Sequence, residues 1–223
     1  MDWISILEKK YKNYVLKDLV KIIVIITIFV FFTNSLDKSN SIIPKMLLVP
    51  EYVLNGQVWR LITFIFIPES SNPLFVILSL YLFYIFGKSL EQLWGNFRFN
   101  LYYFIGIFSA IIAGFITKSG EPVFLNLSVF LAFAYLYPHY KLMVFFIIPV
   151  KIKYVAWFYL FFVTYSVIFS KFSLKIAAVL SFSNFIVFFG KKILDSKIIP
   201  LIKAFHKKQK RRKFKVIVPN KEN

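Results

Sequence analysis

Cysteine is absent from the 223 residues. That excludes a disulfide framework, a thiolate nucleophile and a Cys-based zinc site. Histidine occurs only twice, at His139 and His206, and no metal or cofactor is expected. Acidic residues number 10 against 28 Lys and Arg, so paired intramembrane carboxylates of the kind transporters use are missing. Glycine is scarce at 7 residues. With abundant Lys, Ile, Phe, Asn and Tyr, this is the bias of an AT-rich genome, and a bacterial plasma membrane is the expected location. No cleavable signal peptide is visible, because the first apolar run lacks a small-residue cleavage pattern. Low-complexity segments and internal repeats are also lacking.

Hydrocarbon dominates the rest. Hydrophobic residues make up 59% and aromatic residues 21% of the chain, and the mean hydropathy of +0.69 excludes an ordinary soluble domain. Residues 2–18 read as a short basic amphipathic helix suited to the headgroup region, with Trp3, Leu7 and Tyr11 opposite Glu8, Lys9 and Lys12. Apolar runs long enough to approach a bilayer crossing come next at Leu19–Phe32, Pro73–Leu93, Phe99–Ile116, Val123–Tyr137, Tyr154–Phe169 and Leu174–Phe189. The stretch 33–72 is a long loop whose apolar pieces are too short to cross. The segment Leu142–Val150, interrupted by Pro149, is read as an interfacial connection. The organisation expected is therefore an interfacial segment over 1–18, a membrane domain over 19–190 and a basic tail over 191–223.

An even number of crossings puts both termini on one side. With the termini cytoplasmic, only Lys38, Lys45, Arg60, Lys118, Lys171 and Lys175 of the basic residues fall outside. The positive-inside bias thus favours N-in and C-in. The tail, with Lys207-Lys208-Gln209-Lys210-Arg211-Arg212-Lys213, has little aromatic interleaving and no nucleic-acid motif. It reads as an anchor attracted to anionic lipid headgroups, with no nucleic-acid partner expected.

Three blocks carry the local signal. The first is Gly56-Gln57-Val58-Trp59-Arg60-Leu61-Ile62-Thr63, where the arginine fork suits several loop carbonyls and the indole suits headgroup depth. The second is Gly87-Lys88-Ser89-Leu90-Glu91, followed by Trp94-Gly95-Asn96-Phe97-Arg98. A carboxylate at the membrane edge needs partners, and Lys88 and Arg98 are the candidates for Glu91. The third places Gly106, Ala110 and Gly114 on one helix face, where small residues let helices approach. Gly87 and Gly95 are assigned to the same packing role.

This combination resembles the rhomboid superfamily, which includes intramembrane serine proteases and the non-proteolytic Derlins. The resemblance implies an all-α, six-transmembrane-helix bundle in which Trp59 and Arg60 organise the first loop and Glu91 braces the cytoplasmic side. It also implies that chemistry, if any, sits at Ser128. Rhomboid proteases carry Gly-x-Ser-Gly on the fourth span and a histidine base on the sixth. Here the string is Asn126-Leu127-Ser128-Val129, and the sixth span offers Ser181, Ser183 and Asn184 but no histidine. Two further positions that are His and Asn in active members are Phe75 and Ser79.

A serine without a base forfeits several orders of magnitude in rate. The expectation is therefore a pseudoprotease that binds transmembrane segments of client proteins without cleaving them. Asn126, Ser128, Ser181 and Asn184 would form its polar cavity. The alternative is an active intramembrane serine endopeptidase in which Lys171 or Lys175 replaces the histidine. A transporter or channel component is the weaker third reading.

Overall fold

The computed structural model describes residues 2–11, 13–37, 39, 41–118, 120, 122–144, 148–169, 175, 179–180 and 182–194. The chain divides into two compact units, Met1–Phe185 and Ile186–Asn223.

Helix α1 (Asp2–Tyr11) ends well before Asp18, shorter than the helix expected over 2–18. A turn comes after it, with Tyr14 N–H donating to the Tyr11 carbonyl. Asp18 then takes the left-handed conformation, φ 54°, one of the few that a short polar side chain tolerates. From it rises α2 (Leu19–Leu36). Its 18 residues have a hydropathy of 2.3, yet only 28% of them are buried. Ile22, Ile25, Ile28, Phe29 and Phe32 face outward. At 1.5 Å per residue this helix spans about 27 Å, close to the hydrocarbon thickness of a bilayer.

The long loop is folded into short pieces: α3 (Ile42–Met46), α4 (Pro50–Leu54) with its proline in the first turn, α5 (Arg60–Thr63), and a 3₁₀ turn at Phe64–Phe66. Asp37 starts it by accepting from the backbone and hydroxyls of Ser39 and Ser41.

The central element is α6 (Pro73–Thr117), 45 residues opened by Asn72, whose side chain accepts from Leu74 N–H. A straight helix of that length would run about 68 Å, more than twice a bilayer core. It does not run straight, because Gly95 breaks it at φ 78°, ψ 161°. This is backbone territory essentially reserved for glycine. The arms 73–94 and 96–117 then lie side by side. The Phe83 and Tyr103 rings are 6.2 Å apart, where one continuous helix would hold them ~30 Å apart. Gly95, assigned to packing from the sequence, instead makes the reversal, and a Cβ placed there would touch nothing within 4 Å.

Helix α7 (Val123–Leu136) packs on this hairpin, with Phe86 and Phe133 4.7 Å apart between ring centres. The all-α expectation fails beyond α7. Residues read as an interfacial connection form a β-hairpin, β1 (Lys141–Val144) paired with β2 (Ile148–Lys151). Ile152 N–H donates to the Tyr140 carbonyl at 2.8 Å. Alternation along the ladder then puts the Met143–Pro149 pair at a position where no ladder bond is needed. Proline is therefore tolerated, as edge strands allow, and the β-branched neighbours Ile148 and Val150 suit a strand.

Helix α8 (Ile152–Ile168) buries only Ile152 and Ala156 and turns Trp157, Phe158, Phe161, Phe162 and Tyr165 outward. The last described helix is α9 (Ser183–Ile193). Of the expected sixth run, Leu174–Phe189, residues 174, 176–178 and 181 lie outside the described residues, as does the expected basic tail beyond 194. Two helices among the described residues, α2 and α6, are long and apolar enough to cross a membrane; the apolar stretches 125–136 and 152–168 are shorter.

Small residues set how closely these elements meet. A Cβ on Gly87 would lie 2.8 Å from Val20 of α2, and one on Gly114 would lie 2.7 Å from Leu48 of the loop. Ala110, between Gly106 and Gly114 on the second arm, is buried.

Candidate functional site: a lateral cavity beside a sealed polar core

Arg60 is 4% exposed and ties the loop together. Its Nη1 donates to the carbonyls of Pro44 at 2.8 Å and Leu47 at 2.7 Å, and its Nε donates to Gln57 Oε1 at 2.8 Å. The guanidinium also sits 4.8 Å from the centre of the Tyr52 ring. Only a planar, five-donor group reaches so many acceptors from one side chain. Trp59 remains half-exposed and donates from Nε1 to the Lys45 carbonyl at 3.3 Å, while the Thr63 hydroxyl donates to the Met46 carbonyl at 3.1 Å. The sequence string Trp59–Thr63 thus fastens the carbonyls of α3 and its exit.

At the other end of the first α6 arm, Glu91 is 2% exposed. One oxygen accepts from Leu19 N–H at 3.0 Å, the other from Lys88 Nζ at 2.9 Å. The carboxylate therefore sits on the N-terminus of α2, where unpaired N–H groups and the helix dipole favour negative charge. Lys88 also binds Asp18. Arg98, the other candidate partner for Glu91, pairs instead with Glu8 of α1, at 2.9 Å from both Nε and Nη2. The turn at Gly95 points it toward α1 rather than back along its own arm.

Ser128 lies in the middle of α7 and is fully buried. Its hydroxyl donates to the Leu125 carbonyl at 2.7 Å and accepts from Asn184 Nδ2 at 2.8 Å. Tyr102 Oη donates to the Ser128 carbonyl at 2.8 Å. Gly106 makes this possible. A Cβ there would lie 2.7 Å from Asn184 Nδ2 and 2.5 Å from Leu125 Cδ1, so the bare backbone is what admits the amide. One turn along, Ser109 and Ser183 share a hydroxyl–hydroxyl bond. These groups form a closed polar seam between the second α6 arm, α7 and the start of α9.

Asn126 is not part of that seam. It faces a cavity of about 250 Å³ between the first α6 arm, α7, the hairpin and α8, lined by Glu69, Ser79, Phe83, Phe86, Phe130 and Tyr159 among others. Asn126 Nδ2 donates to Glu69 Oε1 at 2.7 Å. Ser79 lines the same cavity but bonds its hydroxyl back to the Val76 carbonyl at 3.1 Å, and Phe75 is exposed. The four residues grouped as one polar cavity therefore separate: Asn126 lines the cavity, Ser128 and Asn184 are sealed away from it, and Ser181 lies outside the described residues. Of the two lysines offered as a base, Lys171 lies outside the described residues, and the hydroxyl of Ser128 bonds Leu125 and Asn184 rather than Lys175.

Glu69 went unread in the sequence. Its signal was there: it is one of 10 acidic residues and comes just after the apolar run Leu61–Ile67, directly before a long apolar helix. Tyr102 and Tyr103 were also missed, because tyrosines near span ends look like interfacial anchors until the fold buries them.

A family model described as "Eukaryotic integral membrane protein (DUF1751)" matches residues 20–190. No curated protein and no solved structure matches the chain. The family is described as eukaryotic, which leaves the expected bacterial plasma membrane without support, while location in a membrane stands.

Proposed function

We propose, for a chain that belongs to the family described as Eukaryotic integral membrane protein (DUF1751), a rhomboid-like bundle that holds transmembrane segments of client proteins without cleaving them. The bundle crosses six times: α2, the two arms of α6, α7, α8 and the run ending in α9. Both termini are cytoplasmic, on the charge bias of the loops. The basic tail lies on anionic headgroups.

The observation that carries the reading is the placement of Ser128. A nucleophile must face its substrate and a base. This hydroxyl is 0% exposed and already committed to Leu125 and Asn184. The open cavity beside it presents acceptors and rings instead: Glu69, Asn126, Phe86, Phe130 and Tyr159. A client helix lies across the mouth of this cavity, between the first α6 arm and α8, and sends a polar side chain in. Lipid satisfies such a side chain poorly, so transfer to the cavity favours capture. The outward aromatics of α8 give the client an apolar surface to pack on.

Photocrosslinking from Leu82 and Val155 in native membranes tests this. Membrane proteins should be captured there and not from Phe29, on the outward face of α2. Fluorophosphonate labelling that disappears in Ser128→Ala would establish the endopeptidase and overturn the proposal.

A further inference from the structure

At its open side the cavity carries an exposed carboxyl group, that of Glu69. Among the described residues that line it, Glu69 is the only acidic one, and no described cation pairs with it. Asn126, turned to donate to Glu69, leaves its own Oδ1 buried without a partner. A buried oxygen left unpaired costs more than the bond itself is worth. The site therefore has acceptors in excess and wants a donor, best a cation. Phe83, Phe86, Phe130 and Tyr159 add ring faces that attract positive charge.

Away from Glu69 the lining becomes hydrocarbon: Leu82, Phe86, Leu127, Leu142 and Val155. The polar end comes from Glu69, ahead of α6, and from Asn126 of α7, and the apolar wall from α6, α7, β1 and α8. Even 10 Å of α-helix, about 10 Å wide, occupies on the order of 800 Å³, so a cavity of about 250 Å³ does not swallow a helix. Being open on one side, it takes a head group and the near part of a hydrocarbon chain.

We infer that this cavity binds a membrane amphiphile with a primary-amine head and a single hydrocarbon tail. The ammonium donates to Glu69 and to Asn126 Oδ1, and the tail lies against Leu82, Phe86, Phe130 and Val155. A quaternary ammonium has no N–H to give and leaves both acceptors unpaired. An alcohol brings a donor but no charge. The inference stands on the cavity's chemistry and does not need the client reading.

The test uses the full chain in a neutral maltoside detergent, with dodecylamine as probe, dodecanol and dodecyltrimethylammonium as controls, and native mass spectrometry as readout. Dodecylamine should bind saturably at one site, at least roughly tenfold more tightly than either control, the worth of a charge-assisted hydrogen bond. Glu69→Gln should bring it down to the dodecanol level, and Leu82→Trp, which fills the tail region, should abolish it. Equal binding of amine and alcohol would overturn the inference, as would undiminished amine binding in Glu69→Gln. Glu69-dependent binding of a lysine-bearing transmembrane peptide without binding of dodecylamine would also overturn it and give the cavity to protein side chains. Should Glu69→Gln not fold, the amine-to-alcohol ratio in the native chain and the Leu82→Trp variant still decide.

Discussion

Substituting Gly106→Ala adds a single carbon at the tightest crossing in the bundle. That carbon would lie 2.5 Å from Leu125 Cδ1 and 2.7 Å from Asn184 Nδ2. Leu125 meets it with the end of a flexible side chain and can turn aside. Asn184 cannot do so freely, because its Nδ2 holds Ser128 at 2.8 Å and its Oδ1 holds Phe185 N–H at 2.9 Å. Overpacking alone costs about 1–3 kcal/mol. Losing the buried amide–hydroxyl bond adds ~1–3 kcal/mol. The substitution should therefore destabilise by roughly 2–6 kcal/mol on those two grounds. A double-mutant cycle isolates the mechanism. Asn184→Ala removes both the bond and the obstacle, so Gly106→Ala should cost less in that background by about 1 kcal/mol or more. The Leu125 contact is common to both backgrounds and cancels. Reversible unfolding in mixed micelles, titrated with a denaturing detergent, measures all four species. Additivity to within ~0.5 kcal/mol would refute the claim that Gly106 exists to admit the Asn184 amide.

Gly95→Ala should cost ~1–3 kcal/mol although its Cβ would touch nothing, because φ 78° is what the side chain opposes; an unchanged unfolding curve would contradict the reversal. Arg60→Lys should destabilise nearly as much as Arg60→Ala, by roughly 2–4 kcal/mol, since an ammonium cannot serve Pro44, Leu47 and Gln57 together; protease cutting within 42–63 reads it out. The Asp37 carboxyl is held well below the usual range, first by the Ser39 hydroxyl and then by the Ser41 and Ser39 amides. A depressed folded-state value contributes stability above the unfolded value near ~4 and loses it as pH falls through the folded one. Protection of the Ser39 and Ser41 amides, taken relative to the intrinsic exchange rate at each pH, should hold at neutral pH and fall progressively below about pH 4, a dependence absent in Asp37→Ala.

Composition and local pattern were enough to place the starts of α2, α7 and α8. Lipid or packed protein must satisfy the apolar runs, and helix is the cheapest way to satisfy their backbones. Hence α2, α7 and α8 begin within a few residues of where hydropathy places them. A fork of donors at Arg60 in a loop of bare carbonyls is likewise legible without coordinates. Pairings between distant elements needed the folded chain. The same local signal allowed Arg98 to meet Glu91, and only the direction imposed at Gly95 sent it to Glu8. A glycine's two uses, close packing and positive φ, look identical in a sequence, so Gly106 and Gly95 are told apart only by what surrounds them. The hairpin at 141–151 was hidden because a short apolar run has no periodicity to separate strand from interfacial segment. Whether Ser128 faces a cavity or a seam depends on a rotation of α7 about its axis. Contacts with Tyr102 and Asn184, from residues 26 and 56 positions away, fix that rotation.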